Sequence, residues 1–168
     1  MIGLIMQDLP LNVYGQIALT HMNITLKRAG VEDVENYIKI EKSVKSSLNL
    51  VTIDTAEAQK EIEDSIVYMI AFEEQVVGLV SYEIKGDTKA HIAEIAVNPD
   101  FQGKGIGRRA MEMILEELRT KSFTFVDLET HPDNPALRLY ESLGFSVVGR
   151  VENYKDSGTP RLVLSRNL

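Results

Sequence analysis

The chain contains no cysteine. That excludes disulfides, thiolate metal centres and a cysteine nucleophile. Positive charge is also short: 18 Lys and Arg stand against 25 Asp and Glu, for a formal net charge of −7 and a sequence pI near 5.0. Affinity for nucleic acid comes largely from cations that neutralise phosphates, so no nucleic-acid partner is expected. Any anionic ligand must find a local basic patch. Long apolar runs are missing as well. None reaches the 18 or so residues that cross a bilayer, so no membrane association is expected and the compartment is read as cytoplasmic. What is present is 168 residues, 44% hydrophobic and 26% charged. At roughly 100 to 200 residues per domain, this is the composition and length of one soluble domain with its own core.

The amino terminus stands apart. Twelve of the first 21 residues are hydrophobic and Asp8 is their one charge, yet no Lys or Arg precedes Lys27, as a secretory signal would require. Pro10, Asn12 and Gly15 interrupt the run, and at Met22 the texture changes to Met-Asn-Ile-Thr-Leu-Lys-Arg. Residues 1–21 are therefore read as an N-terminal extension or a cloning scar, and 22–168 as a single domain. The alternative for 1–21 is a native arm packed on the domain or on a second subunit.

Downstream, polar and apolar residues alternate over 23–28 as in a half-buried strand. Val34, Ile38, Val44 and Leu48 then recur at near-helical spacing, predicting a helix over about 31–46. Asp54-x-x-Glu57 is an Asp version of the capping box and opens a second helix over about 55–66. Residues 67–73 and 76–84 read as a hairpin and 91–97 as its third strand, ended by Asn98-Pro99. A helix over 105–120 follows, its buried stripe drawn by Ile106, Ala110, Ile114 and Leu118, and then a strand over 123–129. Strand, helix and strand in succession predict a crossover joining two parallel strands. A short helix near 135–143 ends at Gly144, a natural left-handed C′ residue. Strands at 145–151 and around Val163-Leu164 complete an α+β, three-layer architecture. Its sheet is mixed, mostly antiparallel and six- or seven-stranded, with helices on both faces.

The densest chemical signal is Gln102-Gly103-Lys104-Gly105-Ile106-Gly107-Arg108-Arg109, where a loop enters the long helix. Three glycines in five residues let a ligand approach the backbone, and the helix N-terminus adds partial positive charge. Lys104, Arg108 and Arg109 oppose that dipole unless an anion lies among them. The spacing is not the Gly-x-Gly-x-x-Gly of dinucleotide folds, and Lys104 is followed by glycine instead of the Ser or Thr of a P-loop.

Gln102-x-x-Gly105-x-Gly107, preceded by Ile95-Ala96-Val97-Asn98-Pro99, resembles the acyl-CoA pyrophosphate loop of the GNAT superfamily of N-acetyltransferases. A second block, Asn134-Pro-Ala-Leu-Arg-Leu-Tyr140-Glu-Ser-Leu-Gly144-Phe145, resembles that superfamily's other signature. The likeness runs from about Met22 to the C-terminus. It implies a GNAT-like acyltransferase fold with acetyl-CoA as co-substrate and no metal. Ile95, Ala96 and Val97 would line the pantetheine arm in a gap between parallel strands. The diphosphate would rest on Gln102, Gly103, Lys104, Gly105, Ile106, Gly107 and Arg108. Asn134 would reach the arm, and Tyr140 would protonate the departing thiolate. Tyr140 follows Asn134 by six residues where the family usually has seven, which implies either a late helix start or a share for Asp133. A homodimer is expected by the same analogy.

An acceptor amine with a pKa near that of Lys, about 10.4, is protonated at pH 7 and must lose a proton before it attacks a thioester. Glu94 and Glu129 are the candidate bases, and His91 is a third, placed by regular strand phase on the face opposite Glu94. Each could equally be a solvated or satisfied polar group, and Tyr140 could simply pack against Leu139 and Leu143. Without cysteine, direct attack in a ternary complex is favoured over an acyl-enzyme. Over residues 31–64 nine acids face four lysines, a surface that would steer a cationic amine. The acceptor is thus read as a small-molecule or peptide amine. The alternative is a catalytically idle CoA-binding regulatory module.

Overall fold

The computed structural model describes residues 23–44, 54–154 and 158–168. Residues 1–22, positions 45–46 of the predicted helix and Leu48 lie outside them. Seven strands form one sheet: β1 (Ile24–Arg28), β2 (Ile66–Phe72), β3 (Gln75–Ile84), β4 (Lys89–Val97), β5 (Phe125–Thr130), β6 (Ser146–Val151) and β7 (Arg161–Asn167). Their order is β1-β2-β3-β4-β5-β7-β6, antiparallel throughout except for the parallel β4–β5 pair. The last strand therefore inserts between β5 and β6, leaving β6 at the edge.

Helices α1 (Val34–Val44) and α2 (Thr55–Asp64) cover one face, and α3 (Ile106–Thr120) and α4 (Leu137–Ser142) cover the other. The predicted 31–46 helix begins with a 3-10 turn at Val31–Asp33. The capping box forms as expected: the Glu57 amide donates to Asp54 Oδ1 at 2.9 Å and the Asp54 amide to Glu57 Oε2 at 3.0 Å. Every residue of the predicted α3 stripe is buried, joined by Met111 and Leu115. Fully burying an aliphatic chain of this size is worth about 1.5–3 kcal/mol, so this face anchors α3 firmly to the sheet. Gly144 ends α4 at φ +86°.

The register of β4 departs from the sequence expectation in one consequential place. Ser81 of β3 pairs with Glu94, but Tyr82 pairs with Ile92, so Ala93 is an extra residue, a β-bulge. Ser81 and Glu83 share a face of β3, and so do their partners Glu94 and His91. Regular alternation assigns His91 and Glu94 to opposite faces, and the bulge brings them to the same one.

Candidate active site at the parting of two parallel strands

The β4–β5 pairing runs only from Lys89–Phe125 to Ile92–Leu128. Beyond the bulge the strands part, and the stretch of β4 carrying Ile95, Ala96 and Val97 has no strand partner on that side among the described residues. The expected gap is therefore present, with backbone polar groups facing it. An extended ligand can bond such an edge as a strand would.

At the end of this gap the chain turns through Pro99–Phe101 into the glycine loop. Gly103 and Gly105 take φ +74° and +82°, the left-handed region where a side chain is strained. Gly105 caps α3 without a side-chain bond, and the first turn of α3 carries no acid. The amides of Ile106, Gly107 and Arg108 precede the first intrahelical bond, made by the Arg109 amide to Gly105. They form an open anion cradle. Gln102 Nε2 donates to the Val97 carbonyl at 2.8 Å, tying the loop to β4. Lys104 lies over the Phe101 ring at 4.8 Å, Arg108 Nη2 donates to Ser142 Oγ at 2.7 Å, and Arg109 pairs with Glu112 at 3.5 Å. A diphosphate fits this cradle by charge and by donor supply.

On the α1–α2 face, the Tyr37 hydroxyl donates to Glu94 Oε2 at 2.9 Å. Burial, and then a hydrogen bond and charge from Glu41, push the Glu94 carboxyl well above the usual carboxylate range, while the bond from Tyr37 opposes the rise. Burial and the Glu94 charge raise the Tyr37 phenol in turn. Tyr140 approaches from the other layer. It is 6% exposed, and its ring meets Phe145 edge-on at 6.3 Å. Its hydroxyl makes no hydrogen bond to any described residue. Burial and the charge of Glu94 push it up to about 12. The charge of Glu94 thus reaches the Tyr140 phenol from the opposite layer of the fold.

The other candidates are held by partners. Glu129 is hydrogen-bonded to the Tyr154 hydroxyl, which burial and that bond raise to about 12. His91 Nδ1 lies 2.8 Å from Asp127 Oδ1, and Lys89 pairs with the same carboxylate at 2.7 Å. Asn134 Nδ2 donates to Thr130 Oγ1 at 2.8 Å, and its Oδ1 accepts the Ala136 amide at 2.9 Å. Asn134 therefore shapes the turn into α4, which starts at Leu137, two residues later than expected. The Asp133 amide donates to His131 Nδ1.

Residues 35–145 match the sequence profile of the Acetyltransferase (GNAT) family. The chain belongs to that family. Among curated GNAT relatives, the ribosomal protein bS18 alanine N-acetyltransferase of Salmonella typhimurium is 42% identical over 67 residues, 39% of this chain and 45% of the relative. The match thus spans under half the length of that relative. Ard1 from Thermoplasma volcanium has the same fold, with a TM-score of 0.77 over 86% of this chain and 97% of its own, at 21% identity. The PaiA N-acetyltransferase of Thermoplasma acidophilum, solved in complex with coenzyme A, superposes with a TM-score of 0.72 over 88% of this chain and 100% of its own, at 16% identity. The seven-stranded mixed sheet and its helices are the GNAT architecture.

Two features of this GNAT site escape sequence reasoning. Glu41 is only 3% exposed, and its proximity helps to push the Glu94 carboxyl up. Its signal was present: it lies seven residues after Val34 and three before Val44, a charge on an apolar stripe. The acidity of the first helices is also less available than its total suggests. Asp54 and Glu57 cap a helix, Asp33 pairs with Lys27, and Glu63 bonds Gln59. From that segment, the charges of Glu41 and Glu61 help to raise Glu94.

Proposed function

We propose that residues 22–168 are an acetyl-CoA-dependent N-acetyltransferase that transfers acetyl to a primary amine by direct attack in a ternary complex. What supports this reading is the parting of β4 from β5 beside the amide cradle of the glycine loop, together with the influence of the Glu94 charge on the Tyr140 phenol. Coenzyme A, as seen with the PaiA enzyme, suits both parts: a diphosphate for the cradle and an extended arm for the gap. Ile95, Ala96 and Val97 hold the arm. Gln102, Gly103, Lys104, Gly105, Ile106, Gly107 and Arg108 hold the diphosphate, and Asn134 reaches the arm from the mouth of α4. Acetyl-CoA supplies an activated thioester carbonyl.

Glu94 is the base. Its raised pKa makes it a stronger proton acceptor than an ordinary carboxylate and narrows the gap to an ammonium, whose pKa is about 7.7–8.0 for an α-amine and about 10.4 for a lysine. Glu129, at the end of β5 and engaged by Tyr154, orients the acceptor. Tyr140 is the acid. A phenol near 12 is poorly matched to a thiolate whose conjugate acid is near 8.5. However, one of the two causes of its elevation is the charge on Glu94. When Glu94 accepts the acceptor's proton that charge vanishes and Tyr140 becomes more acidic, at the stage when sulfur leaves. The base thereby prepares the acid.

The name of the Salmonella relative makes an alanine α-amine the first acceptor to try, beside lysine peptides, polyamines and aminoglycosides. Free thiol is followed with acetyl-CoA and this panel. Release with at least one amine, lost in Glu94→Gln, is expected. Tight CoA binding with no turnover across the panel refutes the reading in favour of a regulatory CoA-binding module.

A further inference from the structure

Arg108, Glu112, Leu115 and Arg119 recur at i, i+4, i+7 and i+11, so they lie along one stripe of α3 that rises about 16 Å from the first to the last. That stripe forms one wall of a groove of about 610 Å³, a volume usual for a small-molecule site. Ser142 at the end of α4, with Leu143 and Gly144, forms the other wall, and Arg166 of β7 joins them. In a chain of net charge −7, four arginines and two glutamates line this one groove.

The glutamates are held by two of the arginines. Arg109 Nη1 lies 3.5 Å from Glu112 Oε2 and Arg119 Nη1 lies 3.3 Å from Glu116 Oε2, both exposed pairs of the kind that adds little stability. Arg108 and Arg166 meet no carboxylate among the described residues. Each is aimed by a neutral oxygen instead. Arg108 Nη2 donates to Ser142 Oγ at 2.7 Å, and Ser142 donates onward to the Leu139 carbonyl at 2.6 Å, which leaves its lone pairs for the guanidinium. Arg166 Nη1 donates to the Leu143 carbonyl. Such bonds fix a guanidinium in place and leave its charge uncompensated. A Cβ at position 144 would lie 3.6 Å from Arg166 Cζ, so glycine there keeps that group open to the groove. Burial, and then the charge of Arg119, depress the Arg166 guanidinium below its ordinary pKa. The second cause is the repulsion of two cations with no anion between them.

We propose that the α3–α4 groove is a phosphomonoester site, in which Arg166 and Arg119 hold the dianion, Arg108 flanks it and Leu115 lies beneath the group that carries the phosphate. A guanidinium fork matches phosphate oxygens, and a dianion between Arg119 and Arg166 removes their repulsion. This chemistry has two sources: the ribose 3′-phosphate of coenzyme A, whose diphosphate the amino-terminal end of the same helix would hold, and a separate phosphorylated small molecule. The proposal rests on the acetyltransferase reading only for the first source.

Calorimetry on the full chain takes adenosine 3′-monophosphate as the probe, alone and with saturating acetyl-CoA or 3′-dephospho-acetyl-CoA. The probe should bind, and Arg119→Gln and Arg166→Gln should each weaken it about tenfold. Arg119 is partly exposed in the last turn of α3, so its variant decides the matter even if Arg166→Gln, which loses the bond to Leu143, fails to fold. Glu112→Gln removes an anion from the groove and should tighten the probe about threefold, a gain that a merely structural cluster would not give. If coenzyme A is the source, acetyl-CoA displaces the probe and the 3′-dephospho form does not. If the source is separate, the probe binds beside either. Both outcomes uphold the site. Absence of probe binding with equal affinity for the two cofactor forms, equal displacement by both, or affinities that all three substitutions leave unchanged overturns it. Probe binding that these substitutions alter, in a protein that takes neither cofactor form, upholds the groove and counts against the acetyltransferase reading alone.

Discussion

Replacing Tyr140 with Phe separates the chemical role of the hydroxyl from the packing role of the ring. The ring is 6% exposed and packs edge-on against Phe145 at 6.3 Å, and phenylalanine can keep both. The hydroxyl makes no hydrogen bond to a described residue, so its removal leaves no partner stranded, and stability should shift by less than about 0.5 kcal/mol. If the hydroxyl delivers a proton to the leaving sulfur, its loss should lower kcat by about 10² to 10⁴, or about 2.7–5.4 kcal/mol of barrier. Acetyl-CoA should bind as before. The assay is thiol release at saturating acetyl-CoA and amine, with calorimetry for cofactor affinity and thermal unfolding for stability. A kcat within about threefold of wild type, with turnover insensitive to solvent viscosity so that product release is not masking chemistry, refutes the acid role. Tyr140 would then be a packing residue.

Because Glu94 must be ionised to act and its pKa is raised, kcat/KM should climb with pH through a midpoint well above about 4.3, the usual Glu value; an acid limb at the ordinary value contradicts this. A carboxyl whose folded pKa is raised stabilises the fold below its unfolded pKa and loses that contribution as pH rises through the folded one. Glu94→Gln should therefore raise the melting temperature at neutral pH while abolishing activity, and a lowered melting temperature counts against it. Gly105→Ala, forced to φ +82° at the mouth of α3, should cost about 1–2 kcal/mol in unfolding experiments and weaken CoA binding by calorimetry. Glu117 Oε1 accepts from Tyr68 at 2.8 Å, Tyr82 at 2.9 Å and Lys121 at 2.5 Å. Burial opposes ionisation there, but these bonds outweigh it and hold the pKa below the usual carboxylate range. Glu117→Gln should lose about 1–3 kcal/mol in denaturant melts above about pH 5. That deficit should shrink as acid protonates the wild-type residue, and a pH-independent deficit refutes the charge.

Much of the fold was legible because its signals are local. The α3 stripe, the Asp54–Glu57 box, the left-handed Gly144 and the glycine loop each depend on residues a few positions apart, and each appears where the spacing puts it. The parting of β4 from β5 was an expectation of family likeness, and the pairing that stops at Ile92–Leu128 bears it out. The alternation rule failed at His91 because one extra residue, Ala93, resets the phase of everything after it. No composition or periodicity within β4 announces that residue.

The family, the order and kind of the elements, and the glycine loop could be read from the chain alone, since they follow from short-range spacing and backbone conformation. Which acids lie close enough to influence one another depends on the folded chain. Glu41, Glu61 and Glu94 come from three elements far apart in the chain. Whether a carboxylate among them is solvated, paired or driven up in pKa depends on burial and on its neighbours across space. The same holds for Tyr140, whose phenol responds to a charge on the opposite layer of the sheet.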